Sequence, residues 1–408
     1  MLPSSLYRIC IQRICDLLKG GTWKNCATNP VWLSKSPFSD LPSEIVDDLM
    51  KFAQSRNFGP ADVFLLLTSG KLTRLDLAPS RLQTDCVIIQ TVIHSKGYKS
   101  LRILTRHHSN ERIYKPLIET LICNCRNLEV LEIEGMDSDI IVSALENCPK
   151  LTSLGYADSL DALETIQEKF MNNYSLPSGK IYGQFQLRKC VWWGRKIQVE
   201  GSRYPLYTSG DTSMKSEFLK KLRIAVSVCP LVEELHVNMV SKDSIEELKK
   251  LKRLTVLSID MNNCDGEFLP SFIELLRKIG PQLKRLIVEC ILYDCHFPVD
   301  FICNFCPNLQ TLTILGRTTA SNSAETKCRL RLKKILITFT DQKALLFLLS
   351  NCQILEELVL SNAECFDDSL LDRIMKTNPL SDLKSASIQN SNISRNGFRR
   401  LLKKKVSL

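Results

Sequence analysis

Histidine is scarce in this chain, and its few copies stand in no chemical pattern. There are five in 408 residues, His94, His107, His108, His236 and His296, and none is spaced as a metal-ligand or nucleophile motif. The chain contains no Gly-x-x-x-x-Gly-Lys phosphate loop and no Gly-x-Ser-x-Gly elbow. A non-catalytic protein without metal or cofactor is therefore expected. Long apolar runs are missing too: nothing approaches the ~18–20 residues of a membrane span. Arg8, Arg13 and Asp16 break the only apolar segment near the N-terminus, so a secretory signal is not expected.

Cysteine, by contrast, is abundant. Seventeen residues in a chain without a secretory signal point to a reducing setting with mostly buried thiols, hence cytosol or nucleus. At 44% hydrophobic the chain can bury a large core. Its core pattern is a repeat. Leu-x-x-Leu-x-aliphatic, with some substitutions, starts at Leu72, Leu101, Leu128, Leu151, Val232, Leu254, Leu283, Leu309, Leu332, Leu355 and Leu383. The starts lie 22 residues apart at the closest (Val232 to Leu254) and 29 at the widest (Leu72 to Leu101), apart from one gap of 81 between Leu151 and Val232. That period belongs to leucine-rich repeats of roughly 20–29 residues.

Cys125, Cys148, Cys306 and Cys352 each precede the first Leu of a repeat by three residues, and Cys229-Pro230 stands similarly before Val232. This resembles the cysteine-containing repeat class common in ubiquitin-ligase receptors. A small thiol fits where a helix ends against the next strand, and Pro helps to stop that helix. The same register absorbs Cys306 of Cys303-Asn-Phe-Cys306, and no second pair or histidine completes a four-ligand site there. The expected fold is α/β, a leucine-rich-repeat solenoid with a curved parallel sheet and outer helices over 71–408. An irregular insert at about 157–231 interrupts it, and a small helical region, 1–70, precedes it.

That N-terminal region holds two short amphipathic patterns. Leu6, Cys10 and Ile14 lie at i, i+4 and i+8, with Ile9 and Leu17 beside them, and Arg8, Gln12, Arg13 and Asp16 form a polar back. A long Leu suits a pocket, while a small Cys one turn later lets a partner backbone come close. Leu41, Ile45 and Leu49 repeat the spacing, with Pro42 suited to the first helical turn and Ser39 or Asp40 available as a cap. Both helices would equally serve to cap the open end of a repeat array.

Small-Leu-x-x-x-Cys-x-x-x-aliphatic over 5–14 resembles the elongin-binding box of cullin substrate receptors. The pattern apolar-Pro-x-x-apolar-x-x-x-apolar over 41–49 resembles the cullin-2 box of the von Hippel–Lindau-box family. In this order before repeats, they are similar to the zygotic-arrest and Zer-type receptors. The resemblance implies elongin C binding, with elongin B, through Leu6, Cys10 and Ile14. It also implies cullin-2 binding through Leu41, Pro42, Ile45 and Leu49. Cullin-5 receptors typically show Leu-Pro-x-Pro, and Glu44 stands in place of the second Pro. Those relatives continue into armadillo repeats absent here, so their specificity for N-terminal glycine is not carried over. Two other readings stand beside this one: an F-box receptor of a cullin-1 ligase opening at Leu41, and a repeat scaffold with no ubiquitin role.

The net charge is +10. Six cations, Arg395, Arg399, Arg400, Lys403, Lys404 and Lys405, crowd the C-terminal end, as a solvated helix face or a nuclear-import patch. Arg188, Lys189, Arg195, Lys196 and Arg203 interleave with Trp192, Trp193, Tyr204 and Tyr207. Such a set suits an insert packed over the repeats better than a stacking platform for single-stranded nucleic acid. A protein substrate is expected on the third and fifth positions of the repeat cores. These are Glu234 and His236, Arg285 and Ile287, Lys334 and Leu336, then Glu357 and Val359. Cations beside aliphatics there suit an acidic segment with an apolar anchor.

Overall fold

Each repeat core becomes a strand that begins two residues after the leading Leu or Val, because alternate side chains turn inward from there. The computed structural model describes residues 4–20, 36–76, 98–106, 115–133, 136–155, 159–172, 185–192, 212–239, 241–262, 264, 268–291, 295–321 and 329–402. Two compact units divide the chain: residues 1–182 with 186–191, and residues 183–185 with 192–408.

Among the described residues the first unit opens with the helices α1 (Ser4–Lys19), α2 (Ser43–Ser55) and α3 (Pro60–Leu67). In α3 the run from Val63 to Leu67 is buried at every position, so this helix sits centrally and is covered on all sides. Parallel strands follow: β1 (Arg74–Asp76), β2 (Ile103–Arg106), β3 (Val130–Ile133), β4 (Ser153–Gly155) and β5 (Lys189–Trp192). They pair in chain order, Leu75 beside Leu104, Leu104 beside Leu131 and Leu131 beside Leu154. The helices α4 (Lys115–Asn124), α5 (Ser138–Asn147) and α6 (Ser159–Asn172) alternate with them.

In the second unit β6 (Glu234–Asn238), β7 (Val256–Asp260), β8 (Arg285–Glu289), β10 (Thr311–Thr319), β11 (Lys334–Thr340), β12 (Glu357–Leu360) and β13 (Ser385–Ile388) pair in that order, all parallel. A short β9 (His296–Pro298) adds to the far end of β10. Helices α7 (Thr212–Val228), α8 (Lys242–Leu248), α9 (Phe268–Ile279), α10 (Val299–Phe305), α11 (Gln342–Asn351), α12 (Asp368–Thr377) and α13 (Arg395–Leu402) intervene. Leu235, Leu257, Leu286, Leu312, Ile335 and Leu358 align as a buried column, each worth roughly 1.5–3 kcal/mol. The fold is an α/β leucine-rich-repeat arrangement, a parallel sheet whose strands alternate with helices.

The cysteines play the role their spacing assigns. Cys148, Cys306 and Cys352 end α5, α10 and α11 with their N–H donated four residues back, and Cys148 and Cys306 then accept the N–H of Leu151 and Leu309. Burial pushes the Cys125 and Cys306 thiols up to about 12 and that of Cys148 to about 11, which removes thiolate chemistry at neutral pH. Ten of the fourteen described cysteines are buried. The Asn of Cys-x-Asn-Leu adds a link that the repeat pattern alone does not announce. Asn127 donates to Lys99 O and Asn308 to Pro281 O, each at 2.8 Å, tying one repeat to its predecessor.

The long gap between Leu151 and Val232 is partly repeat. Leu187, Cys190 and Trp192 occupy the first, fourth and sixth core positions of β5 and are all buried. Cys and Trp in place of aliphatics hid this repeat from a leucine count. Trp192 is thus a core side chain and offers no stacking face. Lys189 pairs with Glu132 at 2.9 Å. Trp193, Arg195, Lys196, Arg203, Tyr204 and Tyr207 lie outside the described residues, as do Lys403, Lys404 and Lys405.

Candidate functional site

The expected docking residues fall on α1 and α2, and the two helices treat their apolar stripes differently. On α1 the residues that enter the core are Ile11, Cys15 and Leu18, at i, i+4 and i+7. Leu6, Ile9 and Cys10 stay in solvent, Leu6 at 59% exposure and Ile9 at 60%, while Ile14 and Leu17 are half-buried. Leu6, Ile9, Cys10, Ile14 and Leu17 share one side of a helix, because positions three, four, seven and eight apart are neighbours there. Tyr7 lies beside them, also exposed. The large exposed side chains Leu6, Tyr7 and Ile9 thus cluster within the first turns of the helix, and Ile14 and Leu17 continue the side half-buried.

On α2 the stripe runs inward. Pro42 is exposed, Leu41 and Ile45 are half-buried, and Leu49 is fully buried with Val46, Met50 and Ala53. Leu49 supports the helix from inside, so the surface offered by this segment is Leu41, Pro42 and Ile45. Pro42 stands just before the helix, and its carbonyl accepts from the N–H of Ile45 and of Val46. The residue at the cap position is Pro42, which makes no side-chain cap bond; Ser39 and Asp40 belong to the turn over 36–41, in which Ser39 N donates to Ser36 O.

Polar links join the helices into one body. Tyr7 OH donates to Asp48 Oδ2 at 2.7 Å, Cys15 Sγ–H donates to Leu49 O at 3.7 Å, and Arg56 pairs with Asp16 at 3.8 Å. The Asp48 bond, then burial, then the Asp48 charge push the Tyr7 hydroxyl up to about 12. Burial raises the Cys15 thiol to about 11, with Asp16 adding and Arg56 opposing. Asp47 bonds the first repeat: it accepts from Thr73 N at 2.8 Å, Arg74 N at 3.2 Å and the Thr73 hydroxyl. Gln54 Nε2 donates to Asp76 O alongside. The head and the first strand are therefore held in one orientation.

The third and fifth core positions stand on the open face of the sheet. Glu234, His236, Ile287, Lys334, Leu336, Glu357 and Val359 are half-buried and Arg285 is exposed, each followed by a buried residue of its strand. Register places Arg285, Thr311, Lys334 and Glu357 in one row and Ile287, Thr313, Leu336 and Val359 in the next. Lys334 pairs with Glu357 at 2.8 Å and His236 with Glu234 at 3.0 Å, so these charges are partly matched within the protein. Among the described residues no cluster of three or more His, Cys, Asp or Glu could hold a metal ion, and no helix is long and apolar enough to cross a membrane.

No family model and no curated protein matches the chain. Solved structures do. The chain is similar to one described as the Rad7 and Elc1 complex in yeast, at 16% identity and a TM-score of 0.43, over 97% of this chain and 96% of that one. It is similar to the TLR13–ssRNA13 complex at 15% identity and 0.42, over 82% of this chain and 48% of that one. The leucine-rich repeat-containing protein LegL7 from Legionella pneumophila matches at 12% identity and 0.33, over 83% and 92%.

Proposed function

We propose that this protein is the substrate-recognition subunit of a cullin-2 ubiquitin ligase. Leu6, Cys10 and Ile14 dock elongin C, which brings elongin B; Leu41, Pro42 and Ile45 meet the cullin; the repeats hold a protein substrate. The protein itself performs no chemistry, and it works in the cytosol or nucleus. One observation carries the reading. A helix that only caps the array needs a single buried stripe, and α1 supplies that with Ile11, Cys15 and Leu18. Its second apolar side, Leu6 with Ile9 and Cys10, is left in solvent, in the order and spacing of the elongin box. The Tyr7–Asp48 bond makes both boxes one surface, as a receptor that bridges two partners requires.

The test is Leu6→Ser with Cys10→Phe. Elongin C capture by the tagged chain falls more than tenfold, because the partner loses an anchor and meets bulk where it must approach closely. The unfolding midpoint stays in place, since both side chains are exposed. Undiminished capture would remove the hypothesis. Pro42→Ala with Ile45→Ala lowers cullin-2 recovery while elongin recovery persists; recovery of cullin-5 by the unmutated chain contradicts the argument from Glu44. Three packed helices beginning their second member at Leu41-Pro42 also fit an F-box, and recovery of the cullin-1 adaptor in place of elongins would select that reading.

A further inference from the structure

Among the described residues of the second unit, the strands depart from a common length around β10. Most strands in the second unit run four or five residues, but β10 runs nine and β11 seven, and β9 is added beside the end of β10. The extension is engineered at Gly316, where the β10–β11 register shifts between Ile314 and Arg317. A Cβ at Gly316 would stand 2.8 Å from Cys290 O, and the Gly316 N–H donates to Thr338 Oγ1 at 2.8 Å. Only glycine permits that approach.

The extension creates a row that no regular repeat has. Arg317 is the register partner of His296 on one side and of Phe339 on the other, and all three side chains are exposed. They border a bowl of about 770 Å³, closed on its far side by the turn after β12, which carries Glu364. That turn is braced: Asn392 donates to Glu364 O at 2.6 Å, and Asn390 to Asn362 Oδ1 at 2.7 Å. Asn362 and Asn390 both take positive φ, 50° and 49°, a conformation asparagine tolerates. One wall of the bowl thus carries Arg317 with His296, its middle Phe339, and Asp341 and Glu364 make the side beyond Phe339 acidic.

Strand spacing sets the length of what fits. Three steps of ~4.8 Å separate β9 from the turn beyond β12, about 14 Å. An extended peptide rises ~3.3 Å per residue and turns every second side chain to one face, so residues i, i+2 and i+4 cover that distance on one side. We propose that this bowl is the substrate anchor, taking an extended segment of a partner protein with the order acidic, x, aromatic or aliphatic, x, basic. The acid meets Arg317 and His296, the apolar side chain lies on Phe339, and the basic residue meets Glu364. This rests on the reading of the repeats as a receptor surface, and it places the anchor at the strand ends rather than at Arg285 and Lys334.

Fluorescein-labelled peptides of the form Glu-Ala-Leu-Ala-Lys, flanked by Gly-Ser, test it by anisotropy against the full-length chain. The peptide binds, the doubly basic Lys-Ala-Leu-Ala-Lys binds at least tenfold more weakly, and replacing Leu by Ser abolishes the signal. Arg317→Glu inverts the preference between the two peptides, a result that misfolding does not produce. Arg285→Glu leaves binding unchanged. Equal binding of the two peptides, or an Arg317→Glu variant that keeps the original preference, overturns the proposal. Elongin C capture by the same preparation is scored separately, so a missing peptide signal counts against this site and not against the receptor reading.

Discussion

Helices α1 and α2 carry the same spacing of apolar residues, i, i+4 and i+8, and pack side by side, yet they use it in opposite ways. The α1 set, Leu6, Cys10 and Ile14, is held off the core because Ile11, Cys15 and Leu18 occupy the contact with α2. On α2 the residues Val46, Met50 and Ala53 are buried as well, and beside them the set rolls from exposed Pro42 through half-buried Ile45 to Leu49 at 0% exposure. Apolar spacing thus defines a stripe and leaves open whether the stripe meets the core or a partner. Both helices bury a second stripe, Ile11, Cys15 and Leu18 on α1 and Val46, Met50 and Ala53 on α2; α2 also buries the inner end of its first set, at Leu49, and each buried aliphatic residue contributes roughly 1.5–3 kcal/mol.

The sharpest way to break the comparison is to truncate one member of each set. Leu49→Ala removes a wholly buried side chain between α1, α2 and α3, and it costs ~2–5 kcal/mol in urea or thermal unfolding. Leu6→Ala, at 59% exposure, leaves the unfolding midpoint within ~0.5 kcal/mol of wild type. Equal destabilisation by the two would mean that Leu6 is also a core residue, and the exposed face would vanish as a docking surface.

A smaller effect comes from the clamp between the head and the first repeat. Asp47→Ala leaves the N–H groups of Thr73 and Arg74 without their acceptor. A lost bond of this kind costs about 1–3 kcal/mol. Faster hydrogen exchange at Thr73 and Arg74, with unchanged exchange in β10 and β11, is the expected signature. Uniformly faster exchange would mean instead that the clamp supports more than the junction.

These elements differ in how far they can be read in advance. The strands were legible because eleven cores recur with a period near 25 residues outside one long gap, and Cys125, Cys148, Cys229, Cys306 and Cys352 were legible because they stand at helix ends dictated by that period. The β5 repeat was hidden by Cys190 and Trp192, whose shapes satisfy a core position that a leucine count does not score. The Ile11, Cys15 and Leu18 stripe stands in the sequence one residue out of phase with the box, and apolar content does not tell which of the two faces solvent, since Leu6, Ile9, Ile14 and Leu17 are at least as apolar. Asp47 gave no local signal, because its partners lie 26 and 27 residues away. Nor did the extension of β10 and β11: Gly316 reads as a turn signal until the backbone of Cys290 is placed against it.

The smallest expected effect tests the link between the two boxes by pH. Tyr7 donates to Asp48, and this bond holds its hydroxyl at about 12 against an ordinary value of 10.0. The folded state therefore keeps the proton more tightly than the unfolded chain does. By linkage, the bond's contribution is fully present below pH 10 and is lost as pH rises through 10 towards 12, where the unfolded chain releases the proton first. Tyr7 is 47% exposed, so solvent screening keeps the contribution small. Tyr7→Phe is accordingly only slightly less stable than wild type at neutral pH, and the stability difference between the two closes between pH 10 and 12. Comparing the pair removes the general alkaline loss that both share. Asp48→Asn returns the Tyr7 titration, followed by phenolate absorbance, towards 10; a titration that stays near 12 would show that burial rather than Asp48 holds the proton, and that the two boxes are joined by packing alone.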